Sequence, residues 1–221
     1  MRKLLLTMLA MTAALTLTSC TGSITSDVEE KTSFSGVITD FQNGSRLSNT
    51  TITICQTGAS CTTNGQGEFN FGNVEPDKSY KIKFAHSAYL ADSLNVEIKK
   101  GDHLYKSIKM IKAIPVINLS TYSIDFGQTS ESASFTIANT GNCPLSWNIS
   151  ENCSWISSVT PASGTCLPGK NILVKINISR SQLPDACNSS FLQITSNGGD
   201  KNISITADNG GNGGGGGNNG K

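Results

Sequence analysis

Seven cysteines carry most of the reactive chemistry this sequence offers: Cys20, Cys55, Cys61, Cys143, Cys153, Cys166 and Cys187. Thiols can be acylated, oxidised in pairs or hold a metal. A zinc site needs clustered donors. No C-x-x-C pair occurs, and the chain has only two histidines, His86 and His103. No metal site is therefore expected. His86 lies just past a strand-like run and His103 reads as a turn residue beside Asp102, so both are loop histidines rather than catalytic bases. H-E-x-x-H, G-x-S-x-G and phosphate-loop patterns are absent. The glycine run "GNGGGGG" lacks a following Lys-Ser/Thr and a helix to cradle a phosphate. No motif singles out a carboxylate pair for glycoside cleavage. The expectation is a protein without enzymatic activity and without cofactors.

The first cysteine is set apart by what precedes it. Arg2 and Lys3 open the chain and an apolar run follows from Leu4 to Leu15. That is the layout of a secretory signal, and it is shorter than the roughly 20 apolar residues of a membrane span. Leu17-Thr18-Ser19-Cys20 resembles the lipobox of bacterial lipoproteins. The resemblance implies a signal peptide over 1–19, diacylglycerol on the Cys20 sulfur, and anchoring in the outer membrane through its acyl chains. The alternative is an ordinary signal peptide with Cys20 a structural cysteine. Residues 20–32 then read as a lipidated flexible tether. Their acidic cluster, Asp27, Glu29 and Glu30, resembles the export signal of surface lipoproteins in the Bacteroidetes, with an ordinary charged linker as the alternative. The surface-facing side of the membrane is thereby expected, with a periplasm-facing arrangement as the alternative.

An odd cysteine count in an exported chain leaves one unpaired. Assigning Cys20 to lipid leaves an even set, which suits disulfides in an oxidising compartment. Cys55 and Cys61 flank "QTGAS", a hairpin turn, and are expected to pair. Cys143 and Cys153 bracket the strand "LSWNIS". Ten residues of extended chain span on the order of 30 Å, and bridged cysteines need Cα atoms within about 7 Å. Alternating strand direction puts Cys143 with Cys166 at one end of a sandwich and Cys153 with Cys187 at the other. The expected bridges are Cys143–Cys166 and Cys153–Cys187. Free buried thiols are the alternative.

The elements that hold these residues follow a period of two. "YKIKF" alternates Tyr80, Ile82 and Phe84 with lysines, and "NILVKINI" puts Ile172, Val174, Ile176 and Ile178 on one face. Such runs are half-buried antiparallel strands. Turn signals separate them at "QNGS", "NGQG", "EPDKS" and "SNGGD". Losing Arg2 and Lys3 takes the 17 basic residues to 15, against 16 acidic. No basic stripe remains to suggest nucleic acid. About 200 residues after the signal suffice for two small domains. The fold class is all-β, two antiparallel β-sandwiches in tandem. A break falls at "KAIPV", where Pro115 would end a strand. Residues 209–221, rich in Gly and Asn, read as a flexible tail.

The first segment, 33–112, resembles the carboxypeptidase regulatory-like domain, a transthyretin-like (prealbumin-like) sandwich. The resemblance rests on its G-x-I/V strand, the "TNGQGEF" turn and the aromatic strand before "AYLADS". It implies a non-catalytic module that supports or spaces other domains. The second segment, 115–208, resembles the BACON domain (Bacteroidetes-associated carbohydrate-binding), an immunoglobulin-like sandwich. Its N-T-G turn before an L-x-W strand, its W-I-x-x-x-x-P-x-S-G-T segment and its closing S-N-G-G carry that likeness. The resemblance implies carbohydrate or glycoprotein as a partner.

Sugar contacts favour exposed aromatic faces beside amides and carboxylates. Aromatics are 6% of this chain. Trp147 shares a face with Leu145 and Ile149, and Trp155 reads as a core plug. Phe191 alternates out of phase with Leu192 and Ile194 and is a glycan-binding candidate, with Tyr122 and Tyr105. Asp92-Ser93-Leu94 matches the O-glycosylation pattern of exported Bacteroidetes proteins, with Ser93 as acceptor and a plain turn as the alternative. Two functions stay open: an envelope lipoprotein that binds carbohydrate or glycoprotein at the cell surface, or a spacer that docks other envelope proteins and has no sugar affinity.

Overall fold

A computed structural model describes residues 31–184 and 188–209. The chain is all-β, folded as two sandwiches in tandem. The first holds β1 (Ser33–Asp40), β2 (Thr51–Ile54), β3 (Ser60–Thr62), β4 (Glu68–Phe71), β5 (Lys78–Ala85), β6 (Asp92–Ile98) and β7 (His103–Met110). Its sheets run β4-β1-β7 and β3-β2-β5-β6. The second holds β8 (Ile117–Leu119), β9 (Ser123–Asp125), β10 (Ser132–Asn139), β11 (Leu145–Glu151), β12 (Ile156–Thr160), β13 (Ser163–Cys166), β14 (Asn171–Ile178), β15 (Asn188–Ser196) and β16 (Lys201–Ala207). Its sheets run β12-β14-β10-β8 and β13-β11-β15-β16-β9.

The alternation read from the sequence is the alternation of burial. In β5, Tyr80, Ile82 and Phe84 point inward while Lys81 and Lys83 face water. In β14, Val174, Ile176 and Ile178 are buried. Trp147 and Trp155 lie in the second core, each 4% exposed. Pairing is antiparallel with two exceptions, β1 with β7 and β9 with β16. Parallel neighbours need a long connection. Here the connection is the greater part of each domain, so an early strand and the last strand close the same sheet. Sequence periodicity carries no sign of strand direction, and these two parallel pairs depart from the wholly antiparallel expectation.

Three boundaries move. Thr32, expected in the tether, is 3% exposed. Its carbonyl accepts the Val74 N–H and its hydroxyl accepts the Gly101 N–H, so it belongs to the first sandwich. His103 opens β7 rather than sitting in a turn, and its Nδ1 lies 2.8 Å from Ser33 Oγ. Asn209, expected in the tail, is held by its amide, which donates to Leu183 O at 3.2 Å. The rest of the expected tail, the signal segment and Cys20 lie outside the described residues.

The break at "KAIPV" is strapped on both sides. Toward the first sandwich, Ala113 N–H donates to Ala88 O and Leu90 N–H to Ile111 O. Toward the second, Asn142 Oδ1 accepts the Ile114 N–H at 2.7 Å, and Asn142 Nδ2 donates to Lys112 O at 2.8 Å. Asn142 N–H also donates to Ile114 O at 3.0 Å. Gly141 leaves no room for a Cβ, which would collide with Ile114 O. That is why the N-T-G turn carries glycine here.

Candidate binding groove

The outer face of the β4-β1-β7 sheet is polar because its inner face takes the apolar residues. Phe34, Ile38 and Phe69 point into the core. Their neighbours Ser35, Asn70 and Tyr105 point out. The register places these three in one row: Ser35 is opposite Asn70 on β4 and beside Tyr105 on β7. At about 4.8 Å between strands, Asn70 and Tyr105 stand roughly 10 Å apart with Ser35 between them. Tyr105 is 60% exposed.

The "TNGQGEF" turn supplies the adjoining wall. Asn64 Oδ1 accepts the N–H groups of Gln66 (3.0 Å) and Glu68 (2.9 Å). Its amide then donates to Glu68 Oε2 at 3.2 Å. Gly67 takes a left-handed conformation, φ +70°, with Ile38 O 2.6 Å from where a Cβ would sit. The turn therefore fixes the Glu68 carboxylate as an acceptor facing the groove. Cys61 and Thr62 of β3 complete a groove of about 440 Å³. Burial pushes the Cys61 thiol up, which keeps it protonated and a poor nucleophile. No described side chain bonds to the Asn70 amide or to the Ser35 and Tyr105 hydroxyls, so they are free to meet a ligand.

Tyr122 and Phe191 lie apart from Tyr105, in the second sandwich. Both are exposed, at 51% and 53%. Ser204 sits between them: it is opposite Phe191, and its N–H donates to Tyr122 O at 3.0 Å. Gln193 and Asn202 are paired beside them and exposed on the same face, which is rich in hydroxyls and amides. Ser93 is exposed at the start of β6, its N–H bonded to Asp92 Oδ1 at 2.7 Å. Asn70, Glu68 and Ser35 were not singled out in the sequence. The alternation in "EFNF" held that signal, since it puts Glu68 and Asn70 on the face opposite Phe69.

The cysteines depart from expectation. Cys55, Cys61, Cys143, Cys153 and Cys166 are free thiols. The bridge Cys55–Cys61 does not form, although β2 and β3 make the expected hairpin. Cys61 is opposite Ile52, three residues before Cys55, or about 10 Å along the strand. Cys61 packs toward the core while Cys55 is exposed. Cys143–Cys166 does not form either. The two do share one end, since Asn139 Nδ2 donates to both carbonyls, at 2.8 and 2.9 Å. The Cys166 thiol, 1% exposed, instead lies 3.1 Å from Lys170 O, which accepts its hydrogen bond. For Cys153–Cys187, Cys187 lies outside the described residues, and Cys153 packs against the core. Among the described residues, no group of three or more His, Cys, Asp or Glu could hold a metal, and no helix is long and apolar enough to cross a membrane.

Each sandwich matches one family model. Residues 33–110 match the carboxypeptidase regulatory-like domain and residues 116–209 the viral BACON domain. The chain thus carries these two domains in the order its motifs predict. No curated protein matches it. Among solved structures, a protein of unknown function from Porphyromonas gingivalis is similar over 75% of this chain and 87% of its own, at 12% identity and TM-score 0.40. The CsuC–CsuE chaperone–tip adhesion subunit complex of Acinetobacter baumannii is similar at 15% identity, TM-score 0.37, over 42% of this chain. The match spans 56% of that structure's chain, little more than half its length. The PapD-like domain 7 of human CEP192 is similar at 13% identity and TM-score 0.35, over 42% of this chain and 83% of its own. Likenesses this distant carry no inference about binding.

Proposed function

We propose that this chain is a non-catalytic envelope lipoprotein that holds carbohydrate in the groove under Tyr105. One observation carries the reading. An exposed aromatic ring stands in line with a hydroxyl and an amide, beside a carboxylate fixed by its own turn. A pyranose has the complementary surfaces: an apolar face for the ring and a rim of hydroxyls for Ser35, Asn70 and Glu68. The groove volume of about 440 Å³ falls in the ordinary range for small-ligand sites, about 300–1,000 Å³. A single aromatic wall favours one or two sugar units of a glycan or glycoprotein over a long chain. Lipid on Cys20 would hold the module at the outer membrane, facing out.

The test is glycan-array binding by residues 21–221, followed by titration of any hit. Tyr105→Ala should weaken a genuine ligand about tenfold or more, roughly 1.4 kcal/mol, and Asn70→Ala should weaken it further. Phe191→Ala should leave the affinity unchanged. Saturable binding that survives Tyr105→Ala but fails on Phe191→Ala would move the site to the second sandwich. The anchor has its own test: radiolabelled palmitate should enter the full chain in a bacterial host and should not enter Cys20→Ala.

A second reading is a rigid spacer that docks envelope proteins. The strapped junction favours it, because Asn142 ties three linker groups to the second sandwich. Absence of any glycan binding at high protein concentration, with crosslinks to envelope proteins on intact cells, would decide for it.

A further inference from the structure

A larger cavity, about 740 Å³, opens elsewhere in the first sandwich and shares no lining residue with the Tyr105 groove. Its floor is apolar: Ile54, Phe71, Val74 and Tyr80. Its rim carries two cations, Lys31 and Lys100. Neither lysine has an ion-pair partner among the described residues. The one carboxylate that lines the cavity, Glu75, is already paired with Lys78 at 2.7 Å. Asp77 accepts the Lys100 N–H at 3.4 Å and offsets part of the positive field.

The walls are held without a ligand. On one side, Val74 N–H donates to Thr32 O, and the Tyr80 hydroxyl donates to Glu75 O at 2.7 Å. On another, Gly101 N–H donates to the Thr32 hydroxyl at 3.2 Å. The hairpin at 55–59 is pinned by Gln56, whose Oε1 accepts the Lys81 N–H at 3.1 Å. A cavity braced on three sides loses little ordering entropy on binding.

We infer that this cavity binds a small amphipathic organic anion. The apolar body lies against Phe71 and Val74, and a carboxylate or sulfonate head meets Lys31 and Lys100. The site is independent of the sugar groove. Two features together select the class. An apolar floor alone would take any neutral hydrocarbon, and surface lysines alone would take any phosphate. The walls hold both at one opening.

The experiment uses residues 21–221, which keep every described residue, and 1-anilinonaphthalene-8-sulfonate as a fluorescent probe. One saturable site is expected, with displacement by dodecanoate at least tenfold better than by dodecanol. The double variant Lys31→Gln, Lys100→Gln should weaken the probe about tenfold, and Lys31→Arg, Lys100→Arg should restore it. Ala59→Trp, which fills the mouth from an exposed position, should abolish binding with an unchanged far-ultraviolet circular dichroism spectrum. Binding indifferent to Ala59→Trp would overturn the inference, as would equal displacement by dodecanol. Association with phosphatidylglycerol vesicles without binding of the monomeric probe would overturn it too, because that result needs a surface and not a cavity.

Discussion

The two sandwiches differ in how they use their outer surface. The first buries fourteen residues in its described core, the second twenty-one. The smaller core goes with concavity: both the Tyr105 groove and the lysine-rimmed cavity belong to the first sandwich. The second presents Phe191 and Tyr122 on a face of hydroxyls and amides. The comparison separates a name from a shape. The groove proposed for carbohydrate lies in the domain whose resemblance implies mere support, not in the one whose family name invokes carbohydrate. Where the hairpin at 55–59 and the loop at 72–77 stand over the end of a sheet, space is left between them.

The polar centres of the two domains also differ in sign, and exchanging their fates is the strongest way to break the comparison. In the second sandwich, the Arg180 guanidinium donates to four carbonyls: Asp208, Phe126, Gly127 and Ser130, at 2.6 to 3.1 Å. It ties the end of β16 to the turn after β9. Arg180→Met keeps much of the stem and deletes every donor, so it should cost about 3 kcal/mol. In urea unfolding the second sandwich should lose its structure earlier, read by tryptophan fluorescence, since Trp147 and Trp155 both lie there. The first sandwich should be untouched. A parallel loss in both would mean that they unfold as one unit.

Gly141→Ala attacks the strap that joins them. The added Cβ would collide with Ile114 O and sit 2.7 Å from Val116 N. The linker must lift, with loss of some of the Asn142 bonds, for about 1–2 kcal/mol. The expected readout is a larger radius of gyration by small-angle X-ray scattering. An unchanged radius would mean that the Asn142 bonds do not set the spacing.

Smaller still is the pH dependence, where the first sandwich has its own polar centre. Asp40 accepts the Tyr89 hydroxyl at 2.8 Å and the N–H groups of Asn43 and Gln42 at 3.0 and 2.7 Å. The Tyr89 bond leads in holding the carboxyl below its ordinary value, followed by Asn43 and Gln42 and the positive charge of Lys112. A carboxyl depressed in the folded state contributes stability above about pH 3.9. That contribution is lost as pH falls through the depressed folded value. Tyr89→Phe removes the leading cause. The fall in urea midpoint of the first sandwich between pH 7 and pH 3 should then shrink. Asp125 does the same for the second sandwich through Gly127 N–H and the Thr206 hydroxyl, so Thr206→Val is the matching variant. Equal fall in Tyr89→Phe and the parent would remove Asp40 from the account.

Much of this architecture was legible in the residues. Alternation in "YKIKF" and "NILVKINI" fixed which side chains point inward, and the phase of Phe191 against Leu192 gave its exposure. The expected Cys55–Cys61 pairing was not legible because spacing along the chain says nothing of register. Cys61 falls opposite Ile52, and no local signal distinguishes that pairing from one that would bring it to Cys55. The groove was half legible. Tyr105 was singled out as an aromatic, but its partners come from β1 and β4, about 70 and 35 residues earlier in the chain. Only the parallel pairing of β1 with β7 brings them together. Arg180 acts on backbone carbonyls, and Asp40 on two backbone amides and the distant Tyr89 hydroxyl; local side-chain patterns carry no record of those.

The smallest effect expected is that of Trp147→Phe, which weighs lost packing against a removed donor in the second core. The indole is 4% exposed and its buried Nε1–H has no hydrogen-bond partner among the described residues. The ring edge also limits its neighbour, since a Cβ on Gly164 would lie 3.1 Å from Trp147 Cζ2. An unpaired buried donor costs about 1–3 kcal/mol. Trp147→Phe removes it together with part of the packing. The two changes oppose, so the net loss should stay under about 1 kcal/mol, against about 3–5 for Trp147→Ala. Urea midpoints of the two variants decide it. A loss on Trp147→Phe as large as on Trp147→Ala would mean that the indole nitrogen does have a partner, with a bound water the first to look for.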